Sequence, residues 1–178
     1  MSHAIPGMKA PEFKAMTTGP KGQQEMSLKD FTSGNKWCLL FFYPMDFGYI
    51  SPSELLALNS IKENLDKLNC NLFGCSTDSA VVHNKFLSMA PEDGGVKGLL
   101  YPLIEDVNGN IAENYGVLRK GSGYTFRSFF LIDNNEIIRM RTVYDLPIGI
   151  GCENLPDTIN LIQDALGEDA CAWFGEQT

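Results

Sequence analysis

The chain predicts an α/β fold, a single domain in which helices flank a central mixed β-sheet. Three features of its 178 residues carry that expectation. Apolar runs of strand length alternate with helical periodicity in the order strand, helix, strand, helix. A hairpin signal follows, and an amphipathic segment comes last, an order that builds a layered α/β sandwich. The length suits one domain over 1–178, with N-terminal turns or a hairpin at 1–30 and a C-terminal tail at 167–178.

The first 30 residues are polar and punctuated by Pro6, Pro11, Pro20, Gly7, Gly19 and Gly22, which reads as turns or a short hairpin. Lys36–Pro44 (KWCLLFFYP) is a dense apolar run ended by proline, the pattern of a strand covered on both faces. Ser51-Pro52-Ser53-Glu54 is a helix start, with Ser51 as N-cap, proline at the first helical position and Glu54 three residues on. Leu55, Leu58, Ile61, Leu65 and Leu68 follow at spacings of three and four, one buried stripe. Asn71–Ser76 reads as a second buried strand, Val81–Met89 as a helix closed by Ala90-Pro91, and Pro91–Gly98 as a loop. Leu99–Ile104 reads as a strand and Ile111–Tyr115 as a short helix. Ser128–Asp133 and Glu136–Tyr144 are strands joined through Asn134-Asn135, a dipeptide suited to a tight turn. Leu155–Leu166 is the last amphipathic helix.

Composition narrows the function. With 44% hydrophobic and 20% charged residues the chain is an ordinary soluble globule. Fourteen basic against 22 acidic residues give a net charge of −8, which opposes nucleic-acid binding because no basic surplus exists to displace counterions. The longest apolar run, Trp37–Tyr43, falls far short of the ~20 residues of a membrane helix, so no membrane partner is expected. The N-terminal MSHAIPGMKAPEF lacks the charged and apolar regions of a signal peptide. Five cysteines (Cys38, Cys70, Cys75, Cys152, Cys171) without a C-x-x-C pair do not read as a disulfide framework and suit free thiols in the cytoplasm. No cofactor or metal is expected, and His83 has no Cys, His or Asp partner at metal-ligand spacing.

Phe41–Glu54, FFYPMDFGYISPSE, resembles the active-site segment of the peroxiredoxins, specifically the typical 2-Cys group that includes alkyl hydroperoxide reductase C, whose pattern is F-Y-P-x-D-F-T-F-V-C-P-T-E. Pro11-Glu12-Phe13 resembles the family's P-x-F, and Cys75–Ser79 with His83 its C-S-x-D-S and trailing histidine. Tyr115–Leu118, Phe126–Asp133, Leu146–Gly149 and Gly167-Glu168 with Cys171 continue the resemblance in order. It implies a thioredoxin-like fold around a mixed sheet.

The departures shape the expected function. The family's peroxidatic cysteine falls at Ser51 and its assisting threonine or serine at Gly48, whereas Pro44, Glu54 and the first active-site arginine, Arg127, are kept. A second arginine expected just after Gly149 has no counterpart, and Cys171 stands as a resolving-like cysteine within a worn motif. In the family a thiolate attacks the peroxide O–O bond and becomes a sulfenic acid that the resolving thiol captures. A serine hydroxyl stays neutral at pH 7 and has no sulfenic state to pass on. The sequence therefore implies a peroxiredoxin-like protein without thiol peroxidase activity, a pseudoenzyme with an oligomeric scaffold or binding role. The alternative is a thioredoxin-dependent peroxidase of hydrogen peroxide and alkyl hydroperoxides carrying an engineered cysteine-to-serine change at position 51. A thioredoxin-type reductant is implied only in that case.

Individual residues keep plainer readings. Ser51 serves as a helix cap or filler, and a serine-hydrolase reading is poor because only His3 and His83 could act as base. Arg127 either pairs with Glu54 or binds an anion at the helix start. Cys171 is a vestigial resolving thiol or an ordinary tail cysteine. Cys38 and Cys75 are core residues, His83 lies on a helix surface or in the core, and Lys9, Lys62, Lys67 and Lys85 mark solvated faces. The resemblance further implies a homodimer paired through Arg139–Tyr144, a ring of five dimers, and dimer–dimer contacts at Phe47 and Tyr49.

Overall fold

A computed structural model describes residues 4–49 and 51–145. The expected helix Leu155–Leu166, the tail with Cys171, Cys152, Leu146–Gly149, the position sought for a second arginine, and His3 lie outside the described residues.

Seven strands form one mixed sheet in the order β2-β1-β5-β4-β3-β6-β7. β1 (Lys14–Gly19) and β2 (Gly22–Ser27) make the N-terminal hairpin. β3 (Trp37–Phe42) lies inside the sheet, parallel to β4 (Cys70–Ser76) on one side and antiparallel to β6 (Arg127–Ile132) on the other. β5 (Leu103–Glu105) runs parallel to β4, and β7 (Ile138–Tyr144) forms an edge against β6. The uninterrupted apolar run of β3 follows from its place. Leu39 and Phe41 enter the core under helix α2 (Ser51–Lys67), while Cys38, Leu40 and Phe42 enter the core on the opposite face. A strand buried on both faces has no solvent side for polar residues.

The stripe Leu55, Leu58, Ile61 and Leu65 of α2 is buried, but Leu68 lies beyond the helix end and is half-buried. Helix α3 (Ala80–Ser88) is capped by Ser79 and buries Ala80, His83 and Phe86. Helix α4 (Asn110–Asn114) is held by Asp106, whose carboxylate accepts from the N–H groups of Ile111 (3.0 Å) and Ala112 (2.8 Å).

Three expectations are corrected. Ser51 is the first residue of α2 rather than its cap, a shift of one position at a boundary that hydrophobic spacing does not fix. A five-residue helix, α1 (Leu28–Thr32), went unread because it is too short for periodicity; its signal is the capping box of Ser27 and Asp30. The strand expected over Leu99–Ile104 begins only at Leu103. Pro102 cannot donate to a ladder, and Asn59 on α2 binds Gly98 O and Leu100 N, both at 3.0 Å. The β6–β7 connection does turn through Asn134-Asn135, with Glu136 N donating to Asp133 O at 2.9 Å, and Glu136 adds a third residue to the loop. Asp133 Oδ1 accepts from Asn135 N (2.9 Å) and Ile137 N (2.8 Å), and Glu136 takes the left-handed conformation at φ 63°.

The core away from α2 stacks rings around Tyr115, whose centroid lies 5.0 Å from Phe130 and 5.4 Å from Phe42. Its buried hydroxyl has no hydrogen-bond partner among the described residues. A buried, unpaired hydroxyl costs free energy that phenylalanine avoids. Tyr115→Phe should therefore raise stability by about 1 kcal/mol in urea unfolding; a loss of that size would show that the hydroxyl is paired in solution.

Candidate functional site

The site lies at the carboxyl ends of the parallel strands, where ligand sites of open α/β sheets are found. Tyr43 extends the β3 ladder, its N–H donating to Cys75 O at 3.0 Å, and its carbonyl accepts from Thr125 Oγ1 at 2.7 Å. Pro44 ends the strand and is buried. A polar network holds the loop that follows. Asp46 accepts from Tyr43 Oη (2.7 Å) and from His83 Nδ1 (2.8 Å), and its own N–H donates to Asp78 Oδ2 (2.7 Å). Ser76 Oγ donates to the same Asp78 oxygen at 2.8 Å. His83 Nε2 faces Ile104 O at 3.2 Å.

This network was missed in the sequence as a unit. Asp46 and His83 each lie within a quoted motif, but 37 residues separate them and only the sheet brings them together. His83 is a core residue, and its two ring nitrogens face Asp46 and a backbone carbonyl. Neither is directed to Ser51, so His83 does not act as a general base for that hydroxyl.

Ser51 is 1% exposed in the first turn of α2. A Cβ at Gly48 would lie 3.0 Å from Ser51 Oγ and 3.3 Å from Met45 Cγ, so positions 48 and 51 adjoin. One helical turn on, Glu54 is buried and both its carboxylate oxygens accept from Arg127 Nε at 2.8 Å. Arg127 reaches it because alternation along β6 aims Arg127, Phe129 and Leu131 at the α2 face. Of the two readings of Arg127, the structure contains the ion pair.

Cys38, Cys70 and Cys75 are buried free thiols. Burial pushes the Cys38 and Cys75 thiols well up and that of Cys70 to about 12. A reactive cysteine needs the reverse, a thiolate favoured by positive surroundings. Among the described residues, no group of three or more His, Cys, Asp and Glu could hold a metal, and no helix is long and apolar enough to cross a membrane.

The lysines fall into two sets. Lys85 is exposed, Lys67 pairs with Glu63 at 2.8 Å, and Lys9 pairs with Glu12 (3.2 Å) and Glu136 (3.3 Å). Lys62 is no solvated face: its side chain is 18% exposed and paired with Asp66 one turn away.

Raised thiol pKa values make two outcomes readable. In the native protein at pH 8, Cys38, Cys70 and Cys75 should resist iodoacetamide and react once the chain is unfolded, as mass spectrometry would record. Stability is whole while thiols are protonated in both states. It falls as pH rises above the ordinary thiol range, because the unfolded chain then releases protons that the folded one keeps. Rapid native labelling at any of the three would refute their burial.

Comparisons with known proteins agree with this architecture. The AhpC/TSA family matches residues 6–141. Peroxiredoxin-2 of Pongo abelii is 35% identical over 170 residues, covering 93% of each chain. Thioredoxin peroxidase of Echinococcus granulosus is 37% identical over 148 residues, 82% of this chain and 75% of that one. The reduced 2-Cys peroxiredoxin of Plasmodium vivax superposes with a TM-score of 0.80 at 32% identity, over 90% of this chain and 82% of that one. The seven-stranded mixed sheet with its flanking helices is thus the thioredoxin-like peroxiredoxin fold, and the chain belongs to the peroxiredoxin (AhpC/TSA) family.

Proposed function

We propose that this protein is a peroxiredoxin-fold scaffold or binding subunit of the cytoplasm that has lost thiol peroxidase chemistry. Ser51 occupies the position of the peroxidatic cysteine, Gly48 that of the assisting threonine, and Pro44, Glu54 and Arg127 are retained around them. The observation that carries this reading is the buried Ser51 hydroxyl in the first turn of α2, within a Cβ's reach of Gly48 and one turn from the Arg127–Glu54 pair. Oxygen there is neutral and weakly polarisable, and it forms no sulfenic acid for Cys171 to condense with. The loop packed closely around Gly48 favours a naturally altered site over one engineered substitution, since one exchange at position 51 leaves the neighbouring residue unexplained.

What remains is surface. β7 is an edge of the sheet, with no strand beyond it among the described residues, and Arg139–Tyr144 is the segment through which a second copy would extend it. Phe47 is 43% exposed and Tyr49 fully exposed, which supports a second contact joining dimers into a ring.

The unmodified protein should consume no hydroperoxide when coupled to thioredoxin and its reductase. Ser51→Cys should restore weak turnover. Adding Gly48→Thr should raise it by roughly 10²-fold, the contribution of one preorganised donor. Rapid turnover by the unmodified chain would overturn the proposal, and full activity of Ser51→Cys alone would favour an engineered origin.

Assembly is checked separately by sedimentation velocity. Dimers or larger rings are expected at micromolar protein, with Tyr49→Glu shifting rings towards dimers. A monomer at every concentration would refute the scaffold role.

A further inference from the structure

The loop after β3 holds a sulfur beside the altered position. Pro44 ends the strand, and Asp46 is fixed by Tyr43, His83 and Asp78, so the backbone of Met45 is pinned on both sides. Its side chain turns towards Gly48. The point where a Cβ at Gly48 would stand is 3.3 Å from Met45 Cγ, one bond from the thioether, and 3.4 Å from Met45 O. The same point is 3.0 Å from Ser51 Oγ. Met45 is half-buried and belongs to neither apolar core, whereas Met26 and Met140 each pack against one.

Those distances describe a place for oxygen rather than carbon. A carbon 3.0 Å from a hydroxyl oxygen is crowded, but an oxygen there accepts a hydrogen bond from it. The Ser51 side chain is buried and its hydroxyl makes no hydrogen bond among the described residues. A buried hydroxyl without a partner is costly, and an incoming oxygen relieves that cost. A hydroperoxide carries two linked oxygens, so one can take the Ser51 hydrogen bond while its neighbour meets the thioether. A thioether is polarisable and nucleophilic without losing a proton, so it needs neither a base nor a lowered pKa.

We propose that Met45 is the residue this site presents to hydroperoxides, becoming methionine sulfoxide in preference to the more exposed Met8 and Met16. The sulfur attacks one peroxide oxygen, and the S–O bond forms as the O–O bond breaks. The thioether is oxidised by two electrons and the peroxide reduced by two. The departing oxygen takes both electrons of the O–O bond and is steadied by the Ser51 hydroxyl and the N-terminal end of α2. The proton left on the transferred oxygen passes through water to the departing one, which leaves as alcohol or water. The reaction is stoichiometric, one oxygen per chain. Position 51 is serine whatever assembly the protein forms, so the inference does not rest on the scaffold role.

Peptide mass spectrometry of the native full-length chain treated with hydrogen peroxide tests this. Exposure alone ranks Met8, at 51%, and Met16, at 36%, ahead of half-buried Met45. Met45 should instead be oxidised roughly tenfold faster than Met8, the ratio one net hydrogen bond provides. Unfolding in urea should abolish the preference. Ser51→Ala should remove it too while leaving Met8 unchanged; if that variant does not fold, the order in the unaltered chain still decides. A held sulfur presents one lone pair to the oxidant, so Met45 should give one sulfoxide epimer and Met8 both. Methionine sulfoxide reductases A and B each reduce one epimer, so only one of them should restore Met45. Oxidation in order of exposure, an even mixture of epimers at Met45, or a Ser51→Ala rate equal to that of the unaltered chain would each overturn the proposal. Coupled turnover with thioredoxin reports on thiol chemistry alone and is read separately.

Discussion

The buried pair between Arg127 and Glu54 is the constraint on which the site depends. It ties the first turn of α2 to β6 across the core, with Nε 2.8 Å from both carboxylate oxygens and both side chains almost out of water. Removing one partner of such a pair costs about 3–5 kcal/mol, because the other charge is left buried and uncompensated. The pair is thus held by stability as well as by chemistry. A protein that no longer needed the arginine for a peroxide would still lose much of its fold on discarding it alone. Ser51 and Gly48 carry no such penalty. Serine fits the first turn of a helix, and glycine removes atoms from a loop that can close over the space. Under the proposed loss of the thiol, these unequal costs would retain Arg127 and Glu54.

The network beneath the loop belongs to the same logic. Tyr43, Asp46, Asp78 and His83 form a hydrogen-bonded unit that fixes how the chain leaves β3 and turns towards α2. Phe47, in a left-handed conformation at φ 55°, packs its ring 4.9 Å from Phe86 of α3. Backbone strain of this kind persists where surrounding structure over-determines it. The network and this strained turn together fix the loop that carries Gly48 and leads to Ser51.

Much of this was legible in the sequence, for reasons that can be named. The apolar run of β3, the three-and-four spacing in α2 and the proline-ended motif around Pro44 are local patterns, and local patterns report local structure. Residues named from the family motif, Gly48, Ser51, Glu54 and Arg127, map onto adjacent positions for Gly48 and Ser51 and a direct bond for Glu54 and Arg127. What escaped was set by distance along the chain. The pairing of His83 with Asp46 depends on how β3 and α3 are arranged, and the retreat of β5 from Leu99–Tyr101 depends on Asn59, some 40 positions earlier.

The C-terminal end of β4, with Ser76 bonded to Asp78, also supports the loop leading to Ser51. A Cβ at Gly74 would come within 2.7 Å of Leu103 and 3.2 Å of Tyr43, so the sheet is closed tightly at that point. Changes at the helix start need not be felt in the N-terminal half of β4, because close packing separates them.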